Sequence, residues 1–306
     1  MNLDIAGIGI GPFNLSIAAL LAKTPEIKHK FFDDKLEFAW HPGLLLPEAD
    51  MQTGFLKDLV TAVNPTSPYS FLSYLVAKKR FYRFTSTELN MISRAEFSDY
   101  MSWASKQLTS LQFNSPIELI EYHNGRFHIT TKNETTQAKH LCLGTGKKPY
   151  IPAGFEPFLG ENSFHASEMM QRKVDLTGKR VLVVGGGQTG ADIVLNTLNG
   201  TWGQPSNLDW VSRRSNFQPL DEASFTNEFF TPEYTKGFYD LPAENKQREI
   251  RAQKLSSDGI TQKCLLTIFQ IMYQRFEVQG EQRWLSLFPN RSAEQLSFDG
   301  DGYQMS

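Results

Sequence analysis

At 306 residues, with 40% hydrophobic and 21% charged side chains, the chain has the composition of an ordinary folded protein of about two domains, which excludes a disordered or fibrous polymer. Thirty-one basic against 33 acidic residues give a net charge of -2, so no global basic field exists to hold nucleic acid or an anionic membrane. Two cysteines, Cys142 and Cys264, cannot build a disulfide scaffold or a thiolate metal site, and their scarcity fits a reducing compartment.

The first apolar stretch, Ile5 to Ala22, is uncharged and about as long as a membrane span. Asp4 precedes it where a signal peptide needs basic residues, and Gly7, Gly9, Gly11, Pro12 and Asn14 interrupt it, so a cytoplasmic chain without a span is expected. The pattern instead predicts a strand over Leu3 to Ile8, a glycine turn, and a helix from Phe13 to Lys23 that stops before Thr24-Pro25. Glycines in such a turn let backbone N–H groups and the positive helix N-terminus approach a pyrophosphate. Pro12 occupies the third position of G-x-G-x-x-G. The next strand, Lys30 to Phe32, ends in Asp33-Asp34, where an acid would accept hydrogen bonds from a ribose hydroxyl. The alternative is a strand-to-helix turn with no ligand.

Further on, Lys139 to Gly146 reads as a strand ending in Leu143-Gly-Thr-Gly146, a small-residue turn able to pass close to a nucleotide. His123 and His128 flank Asn124-Gly125 and read as surface residues of a hairpin.

A second glycine turn follows the strand Arg180 to Val184. Gly185, Gly187 and Gly190 satisfy G-x-G-x-x-G in full and open a helix predicted from Ala191 to Leu198, closed by Gly200. Its following strand, Leu208 to Val211, ends not in an acid but in Ser212-Arg213-Arg214. Guanidinium groups there suit the 2'-phosphate of NADP rather than the free hydroxyl of NAD, so the second nucleotide is expected to be NADPH; the alternative is a solvated strand end. Two dinucleotide modules in one chain point to an α/β fold of two Rossmann-like domains, in which NADPH reduces a bound FAD.

Several chemistries fall away. The two cysteines lie in different modules, so a redox pair is excluded. The six histidines show no metal-ligand spacing, and neither a nucleophile elbow nor a phosphate-binding G-x-x-x-x-G-K-[ST] loop occurs. The region from Phe217 to Phe276 carries apolar residues partly at helical spacing and reads as helices packed on the second module.

Phe158-Leu-Gly160-Glu-Asn-Ser-Phe-His165-Ala-Ser-Glu-Met169 resembles the linker fingerprint of NADPH-dependent flavin monooxygenases. Phe38 to Gly43, Met51 to Val60, Pro65 to Phe71, Phe81 to Phe84, Cys142 to Lys147, Leu220 to Ala223, Phe230 to Tyr234 and Ser257 to Thr261 are similar to the bacterial lysine N6-monooxygenases of hydroxamate siderophore synthesis. The resemblance covers essentially the whole chain. It implies FAD, NADPH and O2 acting on the side-chain amine of L-lysine, or of a diamine such as putrescine or cadaverine. It places Lys57 at the substrate carboxylate and Asn227 at the substrate backbone. Trp40, His41 and Gln52 would line the flavin, Ser167 and Gln188 would face NADP, and Ser257 and Asp258 would lie near the amine.

The expected domains are 1–165 for FAD and 166–306 for NADPH, with substrate-site helices over about 217–276. The resemblance also implies a C-terminal return segment that completes the FAD domain and is missing here, so a catalytically impaired nucleotide-binding fragment is a further expectation. A homo-oligomer is left open by the sequence.

Overall fold

The computed structural model describes residues 2–300 and 302–306. Two compact units emerge, one holding the chain up to Leu45 with Ala49–Pro149, the other Leu46–Glu48 with Tyr150–Ser306.

The first unit opens with β1 (Asn2–Ile8), α1 (Pro12–Leu21) and β2 (His29–Phe32). It continues through α2 (Phe71–Ala77), α3 (Phe81–Thr85), α4 (Arg94–Ser105), β3 (Leu111–Gln112), β4 (Ile117–His123), β5 (Arg126–Thr131) and β6 (Thr135–Leu143). The sheet order is β3-β2-β1-β6-β5-β4, parallel from β3 to β6 and antiparallel in the β6-β5-β4 meander. Helix α1 begins at Pro12 because proline lacks the N–H that a first helical residue leaves unpaired, and its fixed φ suits that position. Strand β6 starts at Thr135, earlier than the apolar pattern announces, because Thr135 and Thr136 pair with Thr130 and Ile129 of β5, and from Gln137 it pairs with β1 as well. It stops at Leu143, where Gly144 donates to Ile8 O (2.8 Å) and the chain turns away. The hairpin between β4 and β5 holds Asn124 and Gly125 at φ 53° and 72°, and the exposed His123 ring stacks on the half-buried His128 ring at 3.6 Å.

Phe31 and Phe32 are both fully buried, on opposite faces of β2, as the two-residue period of a strand requires. Phe31 joins a core in which Leu15, Ala18 and Ala19 of α1 pack with Phe71, Tyr74 and Tyr100. Phe71 and Tyr100 meet edge to face at 5.4 Å, a favourable quadrupole arrangement.

The second unit contains β7 (Arg180–Val184), α5 (Gln188–Leu198), β8 (Asn207–Ser212), α6 (Pro232–Asp240), α7 (Ala243–Ala252), α8 (Leu255–Asp258) and α9 (Gln262–Met272). A π turn over Tyr273–Val278 leads to β9 (Leu285–Pro289) and to the hairpin β10 (Leu296–Phe298) and β11 (Tyr303–Met305). Strands β7, β8 and β9 form a parallel sheet in that order. Helix α5 starts at Gln188, a turn before the expected Ala191, because extended Gly187 serves as its N-cap. The apolar residues of the 217–276 region do build helices, and Cys264, Ile268 and Met272 form the buried face of α9.

Both cysteines are free, Cys142 half-buried and Cys264 buried. Among the described residues no helix is long and apolar enough to cross a membrane, and no cluster of His, Cys, Asp or Glu suits a metal ion.

Candidate functional site

The first glycine turn lies between β1 and α1, at the carboxyl end of the parallel strands. Gly9 has φ 85°, and a Cβ there would come within 2.5 Å of Gly144 O, so this position needs glycine twice over: for its backbone angle and for the close passage of the chain leaving β6. Gly7 similarly makes room for the Phe31 ring. Gly11 is the N-cap of α1 and carries no side-chain cap; a Cβ there would meet only Gly144 O, at 3.9 Å. The helix N-terminus is therefore uncapped and faces open space, which is what an anion needs.

Two buried side chains hold this turn. Asn14 is 1% exposed; its Nδ2 donates to Gly9 O (2.7 Å) and Ile8 O (3.2 Å), and its Oδ1 accepts from Cys142 Sγ (3.0 Å). It thereby ties the turn to the end of β6. Asp33 is buried at the end of β2; Oδ2 accepts from Ile10 N (2.6 Å) and Oδ1 from Lys35 N (3.0 Å). Desolvation raises the Asp33 carboxyl, but the Ile10 and Lys35 N–H groups and the Lys35 cation outweigh it and leave its pKa below the usual 3.8. The exposed acid at this strand end is Asp34.

Trp40 and His41 follow. Trp40 is half-buried, 5.6 Å from Phe97, with the Arg94 guanidinium 5.0 Å over its ring. His41 sits at φ 44°, an uncommon left-handed conformation for a non-glycine residue, and desolvation with the Arg94 and Lys35 cations lowers its pKa. Gln52 is half-buried and Lys57 exposed, in the run whose backbone pairs with 90–93: Met51 N donates to Ile92 O and Phe55 N to Asn90 O.

In the second unit, Gly190 packs so closely that a Cβ would overlap Gly185 O, the carbonyl that also accepts from Trp210 Nε1 (2.9 Å). Gly187, the N-cap of α5, has no side-chain cap and open space before it. At the end of β8, Arg213 is exposed, whereas Arg214 is half-buried with its Nη1 buried and lacking a hydrogen-bond partner. A buried, unsatisfied guanidinium N–H costs free energy unless a ligand completes it, and a phosphate would. The Ser167 hydroxyl hydrogen-bonds His165 Nδ1 (2.8 Å), and the Gln188 side chain is engaged within the unit. Asn227 is exposed, its amide donating to Ala223 O (3.3 Å); Ser257 and Asp258 are exposed at the end of α8. Beside them runs a groove of about 1000 Å³ lined by 218–223, Arg251, Lys254 and Leu255.

The profile of the L-lysine 6-monooxygenase/L-ornithine 5-monooxygenase family matches residues 1–306. The chain belongs to this family. It is 48% identical to L-lysine N6-monooxygenase of Escherichia coli over 99% of its own length and 72% of the relative's. It is 34% identical to putrescine N-hydroxylase of Acinetobacter baumannii over 89% of its length and 62% of that protein's. Among solved structures, the FAD-bound cadaverine monooxygenase of Erwinia amylovora superposes with a TM-score of 0.94 at 30% identity, over 100% of this chain and 73% of the other. The Kutzneria ornithine N-hydroxylase holding reduced FAD, NADP+ and L-ornithine gives 0.88 at 27%, over 100% and 75%.

In this monooxygenase-family chain, two residues matter that sequence reasoning did not single out. Asp58, next to Lys57, accepts from Val60 N (2.9 Å), Thr61 N (2.7 Å), Thr61 Oγ1 (2.8 Å) and Phe71 N (2.7 Å), while the Ser16 hydroxyl of α1 holds Leu59 O. Lys57 thus projects from a braced turn. The Asp58-x-x-Thr61 spacing, typical of an Asx turn, was the available signal. The other is Asp192, 2% exposed on α5 and bonded to Gln188; nothing in the glycine motif announces it.

Proposed function

We propose that this chain binds FAD at the first glycine turn and NADPH at the second, and with O2 hydroxylates the side-chain nitrogen of L-lysine for hydroxamate siderophore synthesis. The observation that carries the reading is the pair of uncapped, open helix N-termini behind Gly11 and Gly187, in a chain of this family. Bound FAD, reduced by NADPH, supplies the electrons and the centre at which O2 is activated.

The residues do the rest. The α1 N-terminus holds the FAD pyrophosphate on a turn braced by Asn14 and Asp33, with Asp34 offered to the ribose and Trp40, His41 and Gln52 along the flavin. The α5 N-terminus holds the NADPH pyrophosphate, Arg214 with Arg213 takes the 2'-phosphate, and Ser167 lies along the nucleotide. In this reading the FAD domain comprises 1–165 and the NADPH domain 166–306, in a cytoplasmic protein. Lys57 pairs with the substrate carboxylate, Asn227 with its backbone, and Ser257 and Asp258 orient the amine. A free lysine amine has a pKa of about 10.4, so about three units, roughly 4 kcal/mol, separate it from half-neutral at pH 7. Only the neutral amine has a lone pair to give, so the surrounding walls must penalise the ammonium form by excluding water.

The test is NADPH oxidation and hydroxylamine formation by the FAD-loaded protein, with lysine, cadaverine and putrescine in parallel. Lysine-dependent product that falls at least about ten-fold in Lys57→Ala, as loss of a charge-assisted pair requires, supports the reading. The close superposition on a cadaverine monooxygenase favours a second reading, a diamine N-hydroxylase. A diamine carries no carboxylate, so its turnover would survive Lys57→Ala. NADPH oxidation without hydroxylamine from any amine would leave nucleotide binding alone.

A further inference from the structure

Inside the second unit, one polar side chain joins two segments far apart in sequence. Gln188 is the first residue of α5, directly behind the Gly187 N-cap. Its Oε1 accepts from Thr261 N (2.8 Å), and its Nε2 donates to Asp192 Oδ1 (2.7 Å) one helical turn on. Asp192 is 2% exposed and also lies 4.0 Å from Cys264 Sγ of α9. The carboxylate therefore fixes which end of the amide faces Thr261: only Nε2 can donate to Asp192, so Oε1 is left for the backbone N–H. Just upstream, Ile260 N donates to Gln218 O (3.0 Å) and Leu220 N to Ile260 O (2.7 Å), while Gly259 lies so close to Leu220 that no side chain fits there. The 259–261 backbone is thus held on one side by the 218–220 segment and on the other by the Gln188 amide.

We propose that Gln188 is a positioning residue: its side chain, oriented by Asp192, ties 257–261 to the first turn of the nicotinamide helix, so that filling the second glycine turn holds Ser257 and Asp258 in place. This rests on the reading that α5 binds NADPH and that Ser257 and Asp258 meet the amine. In that reading Gln188 both faces the nucleotide and acts on this segment through Thr261. Because one anchor of 259–261 sits on the helix that the nucleotide caps, a ligand that stiffens the α5 N-terminus also slows opening of the Thr261 amide.

The experiment is amide hydrogen exchange over 257–262 with and without NADP+, together with NADP+ affinity by calorimetry and the amine KM of the FAD-loaded protein. In the unmodified chain NADP+ slows exchange at Thr261 several-fold. In Gln188→Ala that protection disappears even at NADP+ concentrations that saturate the variant, because both the Thr261 and the Asp192 hydrogen bonds are lost, and the amine KM, read at saturating NADPH, rises about five- to ten-fold with a smaller change in kcat. Gln188→Glu alone sets two carboxylates against each other and behaves worse. Gln188→Glu with Asp192→Asn restores an acceptor for Thr261 and a donor–acceptor pair on the helix, and recovers both protection and KM; recovery by the exchanged pair separates positioning from bulk destabilisation. Equal NADP+ protection in Gln188→Ala overturns the proposal. So does an unchanged amine KM when Ser257→Ala raises it. If NADP+ fails to bind the unmodified chain, or if Ser257→Ala leaves the amine KM unchanged, the underlying site reading fails, and the proposal with it.

Discussion

The two glycine turns perform one task by different means. In the first, proline replaces the third glycine and buried polar side chains, Asn14 and Asp33, bind the turn's own carbonyls and N–H groups. In the second, all three glycines are present and the turn is set by backbone-on-backbone packing of Gly190 against Gly185, with Trp210 reinforcing it. Strand ends differ too: a carboxylate pair after β2, a guanidinium pair after β8. A turn can thus be held by hydrogen bonds or by the absence of side chains. The first way is vulnerable to loss of a polar group, the second to gain of a methyl.

The sharpest way to break this contrast is Gly190→Ala. Its Cβ overlaps Gly185 O, so α5 must move off β7; such overpacking costs about 1–3 kcal/mol, and NADPH affinity should fall about 10- to 100-fold with FAD retention unchanged, read by separate titrations. The reciprocal change is Asn14→Ala. Stranding the Ile8 and Gly9 carbonyls costs about 1–3 kcal/mol, so FAD binding should weaken about ten-fold or more and the first unit should melt earlier, with NADPH affinity untouched; flavin fluorescence and calorimetry decide. Next comes Arg214→Ala: loss of a charge-assisted contact should weaken NADPH about ten-fold and leave NADH unchanged, and an equal loss for both would remove Arg214 from the 2'-phosphate.

A smaller effect separates the turns by pH. The folded-state pKa of Asp33 lies below the unfolded 3.8, so its contribution is present above 3.8 and is lost as pH falls through the folded value. Acid unfolding followed by circular dichroism should therefore be less steep below pH 3.8 in Asp33→Asn. Smallest is Asp34→Ala: an exposed acid is worth under about 1 kcal/mol, and FAD affinity should change by only a few-fold.

Much of the fold was legible because its signals are local. Glycine at a helix start, proline at the first helical position and a run of apolar residues before a turn each constrain a few neighbouring dihedrals, and the two strand–turn–helix units were readable from them. Gly9 and Gly190 belong to that legible set. Asn14, Asp33 and Gln188 were visible as members of the motifs, but the direction of their side chains was not. Asn14 reaches Cys142, and Gln188 reaches Thr261 across 73 positions. Asp58 was overlooked although its local turn spacing was present; its bond to Phe71 N, which braces α2 as well, was beyond any local pattern.

The sequence by itself determined the two nucleotide turns, the opposite charges at the ends of β2 and β8, and the family, because these depend on residue type and short spacing. Tertiary structure alone decided that Asp33 and Asn14 are buried braces, that Arg214 keeps an unsatisfied N–H, and that Gln188 joins α5 to the 259–261 backbone. The physical reason is that burial and hydrogen-bond partnership are properties of chain segments brought together from distant positions, and the free energy of a polar group depends on that company rather than on its neighbours in the chain.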